Sequence, residues 1–362
     1  MTAAALQGPV MIMAGGTGGH VFPALAVADE LRRRGVEVVW LGTRRGLESR
    51  VVPDAGIPLE WLRVSGLRGR GLGGWLRAPA VLLVAVSHAV RLLRRYRPRA
   101  VLGMGGYVAG PGAVAAWLLR RPLLIHEQNA IAGMTNRFLA RLAGRVMIGF
   151  DGAFPASGKV VFTGNPVRRE VTGVPEPGQR LAGRKGPVRL LVVGGSLGAL
   201  ALNQQVPAAL ARMPADQRPE VLHQSGERTI ETAREAYEQG GVEARVVAFI
   251  EDMTAAYGWA DLVVCRAGAL TVAELAAVGV ASVLVPFPHA VDDHQTANAR
   301  YLADAGAAVL IQQRDLTPER LARELEVLVG DRPRLLAMAE RARALGRPDA
   351  ARRVADLCLE AA

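Results

Sequence analysis

Two glycine-rich segments of the sequence have the composition of anion-binding turns. GGTGGH occupies residues 15–20 after the apolar run PVMIMA, and GGSLGA occupies residues 194–199 after VRLLVV. In each case the apolar run predicts a strand, and the residues after the glycines predict a helix. Glycines let a backbone approach a ligand closely, and the unpaired N–H groups at a helix N-terminus attract negative charge. The sequence therefore predicts two sites for phosphorylated ligands, about half a chain apart.

Neither turn matches the fingerprint of nicotinamide-dinucleotide enzymes. That fingerprint is G-x-G-x-x-G, with a carboxylate near the end of the second strand to bind the ribose. Counted from Gly16, the last glycine position holds Val21, and the second predicted strand ends in VVWLGT without a carboxylate. The turn counted from Gly194 does not match either. These mismatches disfavour an oxidoreductase, which remains an alternative reading of the turns alone.

Length and composition indicate a two-domain globular protein. The chain has 362 residues, of which half are apolar and 21% are charged. Its two cysteines, Cys265 and Cys358, do not make a disulfide framework and favour a reducing compartment. No basic segment precedes the first apolar run, so we expect no signal peptide.

The net charge of +11 is carried almost entirely by arginine. It favours acidic partners such as phosphates, nucleic acid or an anionic membrane, although a genome's base composition can produce the same bias. Aromatic residues do not interleave with a basic stretch, so we expect no nucleic-acid partner.

The elements that must position the two turns alternate along the whole chain. Short β-branched runs are separated by helical patterns, which predicts parallel sheets covered by helices on both faces. The segment at 174–187 is rich in Pro, Gly and charge, and we place the domain boundary near Pro166, just before it. A final helix, 347–361, could return to the first domain. The predicted strands are 9–14, 36–41, 99–103, 122–126, 145–148, 188–193, 219–223, 244–248, 261–265, 281–285 and 307–311.

One predicted helix, APAVLLVAVSHAVRLL at 78–93, is apolar with arginine-rich flanks. Ser87, His88 and Arg91 interrupt it, so it falls short of the roughly 18 apolar residues that a membrane span needs. It fits a helix that lies on a membrane surface, and it also fits a buried helix with a basic end.

Ten motifs follow one another along the chain: GGTGGHVFPALAVADEL, GLRGRG, GMGGYVAGPG, HEQNAIAGMTN, GNPVR, GGSLGA, HQSG, FIEDM, CRAGALTVAEL and DDHQTANA. In these motifs and their order the chain resembles the MurG family of peptidoglycan glycosyltransferases, from about residue 10 to about 300 and more weakly beyond. The resemblance implies an α/β GT-B fold, with two Rossmann-like domains facing a central cleft. It also implies inverting transfer of N-acetylglucosamine from UDP-GlcNAc to the 4-hydroxyl of undecaprenyl-linked muramyl-pentapeptide.

In this resemblance the C-terminal half, residues 167–346, holds the donor. An amide-lined turn suits a diphosphate, an arginine can neutralise charge on leaving UDP, and a carboxylate can accept two ribose hydroxyls. Two amides three residues apart on a helix can reach one sugar. The family usually has Gln where this chain has Leu197. The implied donor residues are Arg168, Ser196, Phe249, Ile250, Leu270, Thr271, Glu274, Gln295 and Asn298.

The N-terminal half, residues 1–166 with the final helix 347–362, would hold the acceptor. Attack by a sugar hydroxyl needs a base. His20 is the first candidate, because an imidazole can accept a proton near neutral pH, and Glu127 is the second, as base or as orienting group. The alternative is that His20 only bonds to its own loop. The implied acceptor residues are Thr17, Gly18, Gly19, Gly105, Tyr107, His126 and Asn129.

A lipid acceptor also favours membrane docking by the basic helix, with Trp75, Leu76, Val81, Leu82 and Leu83 as docking residues and Trp117 beside them. We therefore expect a peripheral protein on the cytoplasmic face of the cell membrane, bound to its anionic surface. We expect no dedicated metal site and no required cofactor, although a divalent cation can assist. The main alternative is another GT-B UDP-sugar transferase with a different lipid or natural-product acceptor.

Overall fold

The computed structural model describes residues 8–44, 46–62, 72–195 and 198–362, with the backbone alone for 72–79 and 291. The chain divides into two compact units. The first comprises Met1–Arg168 with Pro348–Ala362, and the second comprises Arg169–Arg347. The division lies two residues beyond the expected boundary at Pro166, and Arg168 belongs to the first unit rather than to the donor half.

In the described part of the first unit, seven parallel strands form one sheet in the order β3-β2-β1-β4-β5-β6-β7. The strands are β1 (Val10–Ala14), β2 (Val38–Gly42), β3 (Leu59–Trp61), β4 (Ala100–Gly105), β5 (Leu123–Glu127), β6 (Arg145–Ile148) and β7 (Val160–Phe162). The helices are α1 (Gly18–Arg33), α2 (Glu48–Asp54), α3 (Leu72–Tyr96), α4 (Ala109–Leu118), α5 (Met134–Leu139) and, from the chain end, α15 (Ala350–Glu360).

Both faces of this sheet are buried, as a parallel sheet requires. Along β1, Val10 and Ile12 face a core shared with α1 and α15, whereas Met11 and Met13 face a core shared with α3 and α4. The final helix α15 contributes buried side chains, Cys358 among them, to the first of these cores. It therefore belongs to the first unit, although the second unit precedes it in the chain.

The described part of the second unit repeats the plan with six parallel strands in the order β10-β9-β8-β11-β12-β13. The strands are β8 (Arg189–Val193), β9 (Glu220–Gln224), β10 (Arg245–Val247), β11 (Leu262–Cys265), β12 (Ala281–Leu284) and β13 (Ala308–Leu310). The helices are α6 (Arg169–Thr172), α7 (Pro177–Leu181), α8 (Leu200–Arg212), α9 (Ile230–Gln239), α10 (Met253–Trp259), α11 (Ala269–Val278), α12 (His294–Ala303), α13 (Pro318–Val329) and α14 (Arg332–Leu345).

The segment at 174–187, expected to follow the domain boundary, is anchored to the second unit. Arg180 donates to the carbonyls of Tyr257 and Ala260, each at 3.1 Å, and Arg184 forms an ion pair with buried Asp261. Its proline and glycine content therefore reflects a short helix and turns packed on the second unit.

Each sheet reverses its strand order once, between β1 and β4 and between β8 and β11. Ligands of open α/β sheets bind beside the carboxyl ends of the strands at such a point. In the first unit Gly15 follows β1 and Gly105 ends β4; in the second, Gly194 follows β8 and Gly268 lies just beyond β11. Both glycine-rich turns therefore stand where the fold places ligands.

Candidate active site

A buried carboxylate holds the first glycine-rich turn. Glu48, the first residue of α2, has no exposed surface and accepts the amide of Gly16 at 2.9 Å. It also accepts the amide and the hydroxyl of Thr43 at 2.9 and 2.7 Å. Gly15 leaves room for this group, since a Cβ there would lie 2.6 Å from Glu48 Oε1. The amide of Gly16 is therefore engaged by the protein itself.

The backbone amides of the next three residues of the turn precede the first helical hydrogen bonds of α1. Thr17 is the N-cap residue of α1, and its carbonyl accepts the first bonds, from the amides of His20 and Val21 at 3.1 and 3.2 Å. The amides of Thr17, Gly18 and Gly19 precede these bonds, and Thr17 and Gly19 are exposed. These amides can donate to an anion at the helix N-terminus.

Three loops meet at the imidazole of His20. Its Nδ1 lies 3.1 Å from Oε1 of Gln128, which follows β5. Gly105 lies against the ring, because a Cβ at this position would be 2.5 Å from Nδ1. Gly105 also has φ +104°, a conformation that favours glycine. His20 itself is partly exposed, so its ring is held on one side and accessible on the other.

Glu127, the last residue of β5, is buried and organises the loop that follows it. One carboxylate oxygen accepts the backbone and side-chain amides of Asn129 at 3.0 and 3.2 Å. The other accepts the amide of Gly133 at 3.1 Å and Nδ2 of Asn136 at 2.9 Å. A carboxylate offers about four acceptor positions. This geometry favours the orienting role for Glu127 over the role of base.

His126, which the resemblance implies as an acceptor residue, has its side chain in the core. It lies inside β5, has no exposed surface, and bonds through Nε2 to the carbonyl of Gly164 at 3.0 Å. Burial lowers the pKa of its imidazole to about 4, so the ring is neutral. His126 is therefore not available to an acceptor, whereas Tyr107 is 57% exposed.

The second glycine-rich turn packs against the loop that follows β9. Its Ser196 and Leu197 lie outside the described residues. Gly198 has φ +78°, and a Cβ there would overlap the carbonyl of Ser225 and the hydroxyl of Thr229. The Thr229 hydroxyl donates to the same Ser225 carbonyl at 2.7 Å.

A buried polar chain fixes that loop from beneath. Asn203 donates from Nδ2 to the carbonyls of Ser225 and Thr229 at 3.1 and 3.3 Å. The Asn203 Oδ1 lies 3.0 Å from His223 Nε2, and His223 Nδ1 lies 3.0 Å from the hydroxyl of Tyr237. Because Oδ1 only accepts, Nε2 must carry the proton and Nδ1 accepts from Tyr237. Burial lowers the pKa of His223 to about 3, which keeps the ring neutral.

The N-terminus of α11 has backbone amides that can donate to an anion, as the N-terminus of α1 does. The amide of Val272 donates the first helical hydrogen bond, to the carbonyl of Gly268, and the amides of 269–271 precede it. Leu270 and Thr271, both expected at the donor site, are partly exposed there. Glu274, one turn later, is buried and accepts the hydroxyl of Tyr257 at 3.1 Å. Sequence reasoning missed Tyr257, which comes from α10.

The two amides of α12 do not share one exposed face. Asn298 is fully buried and donates to the carbonyl of Ala267 at 3.2 Å, just before α11. Gln295 is partly exposed and accepts the amide of Phe287 at 2.9 Å. The expectation that both reach one sugar therefore fails for Asn298, which supports the turn instead.

Phe249 and Ile250 follow β10 and line a cavity of about 410 Å³ beneath α10. Phe249 is 58% exposed, so its ring is available to a flat ligand at the carboxyl edge of the sheet. Trp259 lines the same cavity.

Arg168 follows a segment tied to the His20 loops. In GNPVR, buried Asn165 donates from Nδ2 to the carbonyl of Gln128 at 2.9 Å. Arg168 ends this segment and is partly exposed.

Within the part of the chain that the structure describes, no group of three or more His, Cys, Asp and Glu side chains could hold a metal ion. In the same residues no helix has both the length and the apolar character needed to cross a bilayer.

Two family models match the chain. Residues 10–148 match the glycosyltransferase family 28 N-terminal domain, and residues 189–354 match the family 28 C-terminal domain. The solved structure of MurG from Acinetobacter baumannii is 45% identical, with a TM-score of 0.84, and covers 98% of this chain and 99% of that one. The glycotransferase of kitacinnamycin, 20% identical with a TM-score of 0.69 over 98% and 99% of the two chains, shares the fold.

Two relatives bear the name UDP-N-acetylglucosamine–N-acetylmuramyl-(pentapeptide) pyrophosphoryl-undecaprenol N-acetylglucosamine transferase. The protein of Alkalilimnicola ehrlichii is 68% identical over 98% of this chain and 99% of its own length. The protein of Nitrosococcus oceani is 61% identical over 98% of each.

Proposed function

The chain belongs to glycosyltransferase family 28 and, within it, to the MurG family, and from this membership we propose that it makes the lipid-linked disaccharide of peptidoglycan. It transfers N-acetylglucosamine from UDP-GlcNAc to the 4-hydroxyl of lipid-linked N-acetylmuramyl-pentapeptide, which converts lipid I to lipid II. The observation that carries this conclusion is the 68% identity with a transferase of that name over nearly the whole of both chains. The two-unit parallel-sheet architecture is the GT-B fold.

The reaction is a single displacement at the anomeric carbon. The acceptor oxygen forms a bond to C1 of the donor sugar, the bond from C1 to the UDP oxygen breaks, and its electron pair leaves with UDP. Because the donor is α-linked and the product β-linked, attack comes from the face opposite the leaving group. The acceptor must lose a proton and the leaving diphosphate must be stabilised, so a base and a cationic or amide-rich site are required.

We assign the base to His20 and the orienting role to Glu127. The His20 ring is partly exposed beside the three amides of the first glycine turn. When these amides bind the diphosphate of the acceptor, the sugar hydroxyl of the same acceptor can reach the ring. Glu127 uses both oxygens to hold Asn129 and the following loop.

We assign UDP binding to the second unit and to Arg168, the residue that directly precedes this unit in the sequence. The amides of 269–271, which precede the first helical hydrogen bond of α11, suit the diphosphate, and the exposed ring of Phe249 suits the uracil. Glu274 has a buried carboxylate already oriented by Tyr257, which can accept a ribose hydroxyl. In this assignment Arg168 and helix amides, without a dedicated metal ion, take the charge that grows on UDP.

We place the membrane-facing surface on the helices α3, α4 and α5. Packing contacts join α3 to α4 and α4 to α5 on one face of the first sheet. Eight large apolar side chains of these helices are 36–77% exposed. Such a patch with flanking arginines suits an anionic bilayer surface. The side chains of Trp75 and Leu76 lie outside the described part of the chain. The eight residues are Val81, Leu82, Leu83, Val84, Trp117, Leu118, Met134 and Phe138.

A transfer assay tests the proposed function. The protein is incubated with UDP-GlcNAc, or with other UDP- and GDP-sugars, and with the muramyl lipid or a short-chain analogue, in buffer with or without excess EDTA. We expect transfer from UDP-GlcNAc and not from the other nucleotide sugars, and the same rate of transfer with and without EDTA. In H20A we expect kcat to fall by roughly 10²–10⁴-fold. Transfer to an unrelated lipid in preference to the muramyl lipid would overturn the acceptor assignment.

A further inference from the structure

The side chain of Gln128 is buried and is hydrogen bonded at both ends. Its Nε2 donates to the carbonyl of Met104 at 2.8 Å and to the carbonyl of His126 at 3.4 Å. Carbonyl oxygens only accept hydrogen bonds, so the NH₂ group must face them. The carbonyl oxygen Oε1 is then directed at His20 Nδ1, 3.1 Å away.

The same logic determines which nitrogen of His20 carries its proton. Because Oε1 of Gln128 only accepts, Nδ1 of His20 must donate, and a neutral imidazole has only one N–H. The lone pair is then on Nε2. In the described part of the chain no protein group bonds to His20 Nε2, and the ring is partly exposed.

We propose that Gln128 is a positioning residue that holds His20 in its Nδ1–H tautomer, so that Nε2 is the atom that takes the proton from the acceptor hydroxyl. This inference rests on the proposed function only for the proton transfer; the tautomer itself follows from the hydrogen bonds.

The surroundings prevent Gln128 and His20 from separating. The backbone carbonyl of Gln128 accepts Nδ2 of Asn165 at 2.9 Å, so both its backbone and its side chain are fixed. On the other loop Gly105 lies against the imidazole. The ring cannot turn to present Nδ1 to a ligand without breaking its bond to Gln128.

An amide in this position differs from the carboxylate that orients histidine in many hydrolases. It fixes the tautomer without adding negative charge beside a turn that binds a diphosphate. In the transfer step the acceptor O–H proton moves to Nε2 while the C1–O bond forms and UDP departs with the electron pair. The resulting imidazolium keeps its Nδ1–H bond to Gln128 and loses the Nε2 proton to solvent.

Nitrogen NMR of protein with ¹⁵N-labelled histidine tests the tautomer directly. The His20 signals are assigned by their loss in H20A, at a pH where the ring is neutral. We expect Nδ1 to have the chemical shift of a protonated nitrogen and Nε2 that of an unprotonated one. In Q128M, which keeps the length of the side chain but removes its acceptor, we expect both tautomers and a fall in kcat of at least about tenfold. UDP binding by calorimetry should not change.

The possible outcomes distinguish the tautomer of His20 from its role as the base. A wild-type spectrum with the proton on Nε2 overturns the proposal, and so does a Q128M spectrum that matches the wild type. A shifted tautomer in Q128M with full kcat would remove His20 from the chemistry and leave the tautomer assignment intact. Should Q128M fail to fold, Q128N withdraws the acceptor by one methylene and the same comparison applies.

Discussion

Replacing Glu48 by Gln should loosen the first glycine-rich turn without changing its sequence. The carboxylate accepts three hydrogen bonds, one from Gly16 and two from Thr43. A Gln side chain has one acceptor oxygen. If that oxygen stays with Thr43, the NH₂ group faces the amide of Gly16, and two donors meet where one bond existed.

The size of the effect follows from the bond that is lost. A hydrogen bond to a charged group contributes about 1.5–3 kcal/mol. If the turn must be held in place for the acceptor to bind, this loss lowers kcat/KM for the lipid acceptor by about 10- to 150-fold. The affinity for UDP should not change, because its proposed contacts lie elsewhere.

A matched control separates positioning from general stability. T43V removes the hydroxyl bond to the same carboxylate, measured at 2.7 Å, but leaves the Gly16 bond in place. Steady-state kinetics with a short-chain acceptor, urea unfolding and UDP calorimetry are compared for both variants. We expect similar losses of unfolding free energy, but a fall in kcat/KM that is large only in E48Q. If T43V loses as much kcat/KM as E48Q, or if folded E48Q keeps the wild-type value, the carboxylate does not position the turn.

Three further outcomes follow from the described contacts. L82Q combined with L83Q should weaken binding to anionic vesicles in a flotation assay, whereas V327Q, at a residue 50% exposed in the second unit, should not; equal binding by both variants would count against the patch. E274A should raise the KM for UDP-GlcNAc by roughly 10-fold or more with little change in kcat, since a ribose contact exists before and during reaction; a loss confined to kcat would contradict this role. His223 is buried, and its pKa of about 3 in the folded protein lies below the unfolded value of 6.5. Between these two pH values the unfolded chain binds one more proton than the folded chain, so the free energy of unfolding falls as the pH drops from 6.5 toward 3. Urea unfolding should therefore show the second unit losing about 2 kcal/mol between roughly pH 7 and pH 5, and a flat profile would mean that the ring is accessible to protons.

The regular elements were predictable because their patterns are local. The strand at 145–148 has its predicted bounds, and no end of the other predicted strands differs from the structure by more than two residues. The strands β3 and β7 were missed because each has three half-buried residues at a sheet edge, too short for a period-two pattern. The helix α2 was also missed, although it carries Glu48.

The site was predictable at the level of turns and not at the level of side-chain direction. Successive residues of a strand point to opposite faces, so HEQN places His126 and Glu127 in different surroundings despite their adjacency. His126 bonds to Gly164 in the core, and Glu127 holds the loop beyond it. A motif shows that such residues matter together, but only tertiary packing shows which of them faces a ligand.

Glycine is required in the two turns for a reason that the motifs alone do not show. Glycines after a strand were interpreted as space for a ligand, yet Gly15 and Gly198 each leave space for a polar group of the protein. Beside Gly15 that group is the carboxylate of Glu48, and beside Gly198 it is a carbonyl supported by Asn203. A larger residue at either position would displace the support before it met any substrate. The two turns are therefore held by unrelated buried polar groups, which explains how one chain can build the same glycine-rich turn twice without sharing sequence around it.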